Sequence, residues 1–184
     1  ICSSASRLLI FISVFVFSFS VVAQEINPNG YTIFYHPNGK VSSEGTMRSG
    51  KPDGYWKTYY ENGQLKSEGN RLNFKLDSLW RFYSDSGVVT AEYNYTGGIK
   101  NGLQRNYYPN GKLRTAETDS MGIRVGTSQF YDERGNRIKS IPYTNGVENG
   151  MAREYNSEDL LITVAFYRNG FFQREEKINR LDKS

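Results

Sequence analysis

The chain has 184 residues and a formal net charge of +4, with one histidine, one cysteine, 14 tyrosines, 11 phenylalanines and 18 glycines. A single histidine and a single cysteine exclude a zinc centre built on those ligands. Acidic and basic residues alternate along the chain at near balance, which speaks against nucleic acid as a partner.

Residues 1–23 differ in character from the rest of the chain. Arg7 precedes an apolar run from Leu8 to Val22, interrupted by Ser13, Ser18 and Ser20, with small residues at Val21 and Ala23. A basic flank, a short apolar stretch and a small-residue site read as a secretory signal cleaved after Ala23. The alternative is an anchor over residues 8–22, although a spanning helix takes roughly 20 apolar residues. The expectation is an exported chain, periplasmic or extracellular, that loses Cys2 and with it any disulfide or thiol chemistry. Residues 24–29 form a short lead-in.

From residue 30 to residue 173 the sequence repeats every 24 residues. The units start at Gly30, Gly54, Ser78, Gly102, Gly126 and Gly150. Five residues after each start stands a tyrosine: Tyr35, Tyr59, Tyr83, Tyr107, Tyr131 and Tyr155. Nine after it stands Gly39, Gly63, Gly87, Gly111 or Gly135, with Asp159 in the sixth unit. Twenty after it stands Gly50, Gly98, Gly122, Gly146 or Gly170, with Phe74 as the exception. Self-similarity at such a period marks a repeat architecture, in which each unit contacts mainly its neighbours.

Within a unit, two aromatic and β-branched stretches flank a turn such as Pro37-Asn38-Gly39 or Glu61-Asn62-Gly63, which is a hairpin signal. Proline cannot donate to a ladder, so a three-residue loop with Gly39 in the left-handed region suits these turns best. That register pairs Tyr35 with Val41, Tyr59 with Leu65, Tyr83 with Val89, Tyr107 with Leu113 and Tyr155 with Leu161, and leaves Tyr131 opposite Arg137. A two-residue loop would instead set Lys57 against Glu68 and Arg81 against Glu92. The tyrosines thereby become candidate core residues.

The segments between hairpins, such as Gly97-Gly98-Ile99-Lys100-Asn101-Gly102, are too short for helices. The expected fold is all-β, an elongated open antiparallel β-meander of six 24-residue hairpins. Twelve strands at ~4.8 Å spacing would extend roughly 58 Å. Residues 174–184 form a charged tail that suits a terminal cap.

The unit Gly54-Tyr-Trp-Lys-Thr-Tyr-Tyr-Glu-Asn-Gly63-Gln-Leu-Lys-Ser-Glu-Gly69 resembles the bacterial variant of the MORN repeat, and residues 30–53 and 102–125 match it closely. The resemblance implies an elongated β-meander used for partner binding or assembly, with lipid binding also proposed. Such proteins are often catalogued as antitoxin-like components of toxin–antitoxin systems.

No catalytic constellation is apparent. His36 sits beside Pro37 and reads as an exposed turn residue, no serine stands in a strained nucleophile elbow, and no phosphate loop appears. No cofactor or metal is expected, nor an enzyme. Glu44, Glu68 and Glu92 recur at one position and Asp53, Asp77, Asn101 and Asn149 at another, where turn formation and solubility explain them. The more informative pattern is a basic row, Lys57, Arg81, Arg105 and Arg153, interrupted by Ile33 and Gln129. It could hold an acidic polymer, anionic headgroups or a partner's acidic edge, or form a solvated face whose cations pair with nearby glutamates. Trp56 and Trp80, with Phe34, Phe82 and Phe130, fall on the opposite face, which packs inward or against another chain. The basic row and the two tryptophans are the candidate binding surface.

These residues support two functional readings. One is a non-enzymatic exported scaffold that binds a protein partner or itself. The other is a module binding cell-wall glycan or an anionic membrane surface, and the family resemblance adds the antitoxin-like role.

Overall fold

The computed structural model describes residues 27–178, and these are strand and turn throughout. The strands are β1 (Gly30–Tyr35), β2 (Val41–Arg48), β3 (Lys51–Tyr59), β4 (Leu65–Leu72), β5 (Lys75–Tyr83), β6 (Val89–Thr96), β7 (Ile99–Tyr107), β8 (Leu113–Ser120), β9 (Ile123–Tyr131), β10 (Arg137–Thr144), β11 (Val147–Glu148), β12 (Gly150–Tyr155), β13 (Leu161–Arg168) and β14 (Phe171–Lys177). They form one antiparallel sheet in chain order, open between β1 and β14. The expected meander is what the chain adopts. Its strands number fourteen and not twelve for two reasons. The first strand of the sixth unit breaks at Asn149 into β11 and β12, both paired to β10. The chain then continues past the sixth hairpin, so Arg174–Lys177, read from sequence as tail, belong to β14.

Each edge of the sheet carries one kind of turn. On one side, Gly39 N–H donates to the His36 carbonyl at 2.9 Å and His36 N–H to the Lys40 carbonyl at 2.8 Å, enclosing the expected three-residue loop. The same pair of bonds recurs around Gly63, Gly87, Gly111 and Gly135, and around Asp159 in the sixth unit. On the other side, two-residue turns carry positive φ at both positions, as at Ser49-Gly50 (50° and 72°) and Asn145-Gly146 (51° and 83°). This primed geometry matches the right-handed twist of the flanking strands.

The two registers weighed from sequence both occur, in succession. Tyr59 pairs with Leu65, yet Thr58 pairs with Ser67 and Lys57 with Glu68, because Lys66 is bulged out of the ladder. The same bulge comes directly after Val41, Val89, Leu113, Arg137 and Leu161. One extra residue puts Leu65 and Glu68 on the same face as Tyr59 and adds local twist. A second irregularity lies at the junctions between units, as where β3 has three residues, Asp53 to Tyr55, between the partners of Gly45 and Met47.

Strand alternation then divides the side chains. One face carries Phe34, Trp56, Trp80, Phe82 and Phe130, and the other the six repeated tyrosines. Met47, Trp56 and Trp80 form the buried cluster, flanked by Phe34, Leu76, Phe82 and Tyr95. With no second layer among the described residues, burial to 5% and 3% for the two tryptophans requires a sheet that twists around this face. Two glycines make room for the rings. A Cβ on Gly69 would lie 2.4 Å from Trp80 Cδ2, and one on Gly45 would lie 2.4 Å from Trp56 Cε3. Further along the same row the large and small residues exchange strands: Tyr93 faces Gln104, and Ile141 faces Ser128.

Candidate binding surface

The face opposite the tryptophans is organised by two parallel rows. In the first, each repeated tyrosine pairs across its hairpin with Val41, Leu65, Val89, Leu113 or Leu161, and Tyr131 with Arg137. In the second, successive strands bring together Glu44, Lys57, Glu68, Arg81, Glu92 and Arg105. Charge alternates strand by strand, which is a favourable cross-strand arrangement.

Hydrogen bonds connect the rows. The hydroxyl of Tyr59 donates to Glu44 at 2.5 Å, that of Tyr83 to Glu68 at 2.7 Å and that of Tyr107 to Glu92 at 2.8 Å. Glu92 also receives Arg81 Nε at 3.0 Å and Arg105 Nη1 at 3.4 Å. The Tyr59 hydrogen bond holds the Glu44 carboxyl below its ordinary range. For Glu68 and Glu92, burial acts to raise the carboxyl. It is outweighed by the tyrosine hydroxyls and neighbouring cations, so both also sit below the ordinary range. The tyrosines shift the other way. Burial, then the hydrogen bond to a carboxylate, pushes Tyr83 and Tyr107 up to about 12. These tyrosines are half-buried and held by their hydroxyls, so they are less a core than a clamp between strands. Tyr35, at 52% exposed, lies outside that arrangement.

The basic row is therefore two different things in its two halves. Lys57, Arg81 and Arg105 alternate with glutamates. Arg153 stands between Ser140 and Val164, and its Nη1 donates to the Met151 carbonyl at 3.2 Å. Trp56 and Trp80, counted from sequence with the contact residues, are corrected by their burial: each lies over a glycine inside the core and offers no outer surface. His36 differs as well. It is half-buried, with Nε2 3.0 Å from the Tyr59 carbonyl, and occupies the position where Tyr60 and Tyr108 donate to the Tyr83 and Tyr131 carbonyls. It ties one hairpin to the next.

The second acidic position has a structural role of the same kind. Asp53 accepts from Phe74 N–H at 3.3 Å, Asp77 from Gly97 N–H at 3.4 Å and Asn101 from Met121 N–H at 3.1 Å, each bracing the next two-residue turn. Asn29 does this for Ser49 and Asn149 for Asn169.

Every unit thus repeats the same hairpin and the same bulge, and the MORN repeat variant family model matches residues 28–48, 52–73 and 100–118. The chain's first, second and fourth units are MORN-variant repeats. It matches no curated protein. In this sheet a cleft of about 630 Å³ is lined by Thr90, Asn106, Tyr108, Arg114, Phe130 and Ile138, among others. Its polar groups already serve one another: Asn106 receives Tyr93 and donates to Thr115, and Glu117 pairs with Arg124. Among the described residues no group of histidine, cysteine and carboxylates is placed to hold a metal.

Sequence reasoning missed a third feature. The residues just after the two-residue turns are Ile99, Ile123, Val147 and Phe171, exposed by 45%, 51%, 42% and 74%. Each of the first three lies against the glycine of the next such turn, Gly122, Gly146 and Gly170. At two-strand intervals they make an apolar ridge about 29 Å long on one edge of the sheet. The 24-residue spacing of these four residues was the available signal. In the first half Lys51 and Lys75 hold the same position.

Proposed function

We propose that this protein is a non-enzymatic, exported repeat scaffold that binds a protein partner. The observation that carries the reading is the ridge of Ile99, Ile123, Val147 and Phe171, a regular line of exposed apolar side chains along one edge of the sheet. The first three side chains each rest on the glycine of the next turn, which spaces them regularly. The family and the all-β repeat architecture fit contact better than chemistry. Export rests on the signal-like residues 1–23, which lie outside the described residues.

The test is association. The mature chain is cross-linked in its own envelope extract, and its mass in isolation is measured by light scattering. Ile123→Glu with Val147→Glu should abolish the cross-linked species or the higher-mass species while the melting temperature is kept. Unchanged association in that variant removes the ridge as the contact site. N-terminal sequencing of the secreted chain should begin at Gln24, and a chain retaining residues 1–23 in the membrane would contradict cleavage.

A further inference from the structure

The repeats supply an internal template for an anion site. In the second, third and fourth units a tyrosine hydroxyl donates to a glutamate fifteen residues earlier, and a cation stands beside that glutamate on the neighbouring strand. In the fifth and sixth units the glutamate is replaced by Ala116 and Ser140, while the donors stay. Ala116 pairs with Arg105 on one side and Gln129 on the other, and Ser140 with Gln129 and Arg153. Tyr131 uses its carbonyl to receive Tyr108, and its side chain lines an open cleft with Arg137. Tyr155 has its hydroxyl 3.4 Å from Ser140 Oγ, a long contact between neutral groups.

Gln129 takes the place of a cation in this row. It sits between the two substituted positions, and its Oε1 is buried without a hydrogen-bond partner among the described residues. An orphaned amide end is costly. That oxygen is out of a partner's reach, so the donors of the row at this point are Arg105 and Arg153.

We propose that two carboxylates of an acidic, extended segment of a partner protein seat over Ala116 and Ser140, at the repeat positions where the first half carries Glu44, Glu68 and Glu92. Tyr131 and Arg105 serve the first carboxylate, and Tyr155 and Arg153 the second, above Ser140, which is itself buried. The two positions lie two strands apart, about 9.6 Å. Successive turns of a polyproline II segment repeat at about 9.3 Å, so acidic residues at every third position match the spacing. The inference rests on the protein-binding reading and adds the partner's chemistry.

The test uses fluorescence anisotropy with a labelled (Glu-Pro-Pro)4 peptide and its (Gln-Pro-Pro)4 counterpart. The glutamate peptide should bind the full chain at least tenfold more tightly, and more weakly as salt rises. Ala116→Glu with Ser140→Glu supplies the carboxylates from within, and should raise the melting temperature while weakening the peptide at least tenfold. Arg153→Gln with Tyr155→Phe, both at the surface of the sheet, should weaken it without altering the fold. Absence of binding to the unmodified chain, or equal binding to all variants, overturns the proposal. So does retention on phosphatidylserine vesicles, lost in the same variants, without any peptide binding, which would make the occupant a lipid surface. The scaffold reading is judged separately by the Ile123 and Val147 variants, which leave this face intact.

Discussion

The Tyr83 hydroxyl donates to Glu68 across 2.7 Å, from the first strand of the third unit to the second strand of the second unit. That bond is the unit of cohesion between repeats. A hairpin in isolation is marginal, so a stack of hairpins depends on what ties each to the next. Here three kinds of tie recur: tyrosine to glutamate on one face, tryptophan over glycine on the other, and turn to turn along both edges. Contact between units is local, so stability should be distributed unevenly, strongest where all three kinds are present.

Tyr107→Phe should expose that unevenness. It removes the hydroxyl bound to Glu92 and leaves the ring. A hydrogen bond to a charged group contributes about 1.5–3 kcal/mol, and partial exposure of the carboxylate favours the lower end. Tyr131→Phe, in the unit where Ala116 stands at the position of the glutamate, should change stability by less than about 0.5 kcal/mol. Urea denaturation of the two variants checks this, and equal losses would show that the carboxylate plays no part.

The same pairs fix the pH limits. Glu44, Glu68 and Glu92 have lowered pKa values in the folded chain. Their contribution is present above the unfolded value of 4.5 and is lost as pH falls through the folded values. Tyr83 and Tyr107 are raised from 10.0 to about 12, so their contribution is present below 10 and lost as pH rises towards 12. Melting temperature should therefore be level between about pH 5 and pH 10 and fall on both sides. In Glu68→Gln with Glu92→Gln the acid limb should become shallower. An unchanged acid limb would place the pH sensitivity elsewhere.

Tryptophan over glycine gives a coupled prediction. Gly69→Ala puts a methyl within 2.4 to 2.6 Å of three Trp80 ring atoms, and overpacking of this kind costs about 1–3 kcal/mol. Trp80→Ala should cost about 3–5 kcal/mol. Combined, the two should cost clearly less than their sum, because the methyl then occupies vacated space. Additive losses from chemical denaturation would contradict direct contact as the cause.

Much of the fold was legible in the sequence, and the exceptions have physical causes. The period gave the meander, and Pro37 gave the three-residue loop. The register could not be resolved further, because Lys66 and its equivalents are bulged and the pairing of Tyr59 with Leu65 coexists with that of Lys57 with Glu68. A bulge residue carries no compositional mark: the six positions are Ser42, Lys66, Thr90, Arg114, Ile138 and Ile162. The tryptophans were placed on the face opposite the tyrosines, but their burial depended on Gly45 and Gly69, whose closeness to the rings follows only from the register. The tie from tyrosine to glutamate was present as a constant offset of fifteen residues, visible only once the bulge is known to turn both groups to one side.

Phe74 is the one aromatic residue among the two-residue turns, and its φ of 68° lies where side chains are disfavoured. A residue with a Cβ pays roughly 1–2 kcal/mol in that region relative to glycine. Arg48 and Lys51 lie over the ring, 5.1 and 5.5 Å from its centre, and exposed cation–π contacts contribute about 0.5–1 kcal/mol. Strain and attraction nearly cancel, so Phe74→Gly should leave stability within about 1 kcal/mol of the parent. Phe74→Ala keeps the strain and loses the ring, and should therefore be less stable than Phe74→Gly by about 1–2 kcal/mol. Glycine ranking above alanine reverses the usual order in strand-rich segments, and urea midpoints of the two variants decide it. If alanine equals or exceeds glycine, the ring and not the backbone governs this turn.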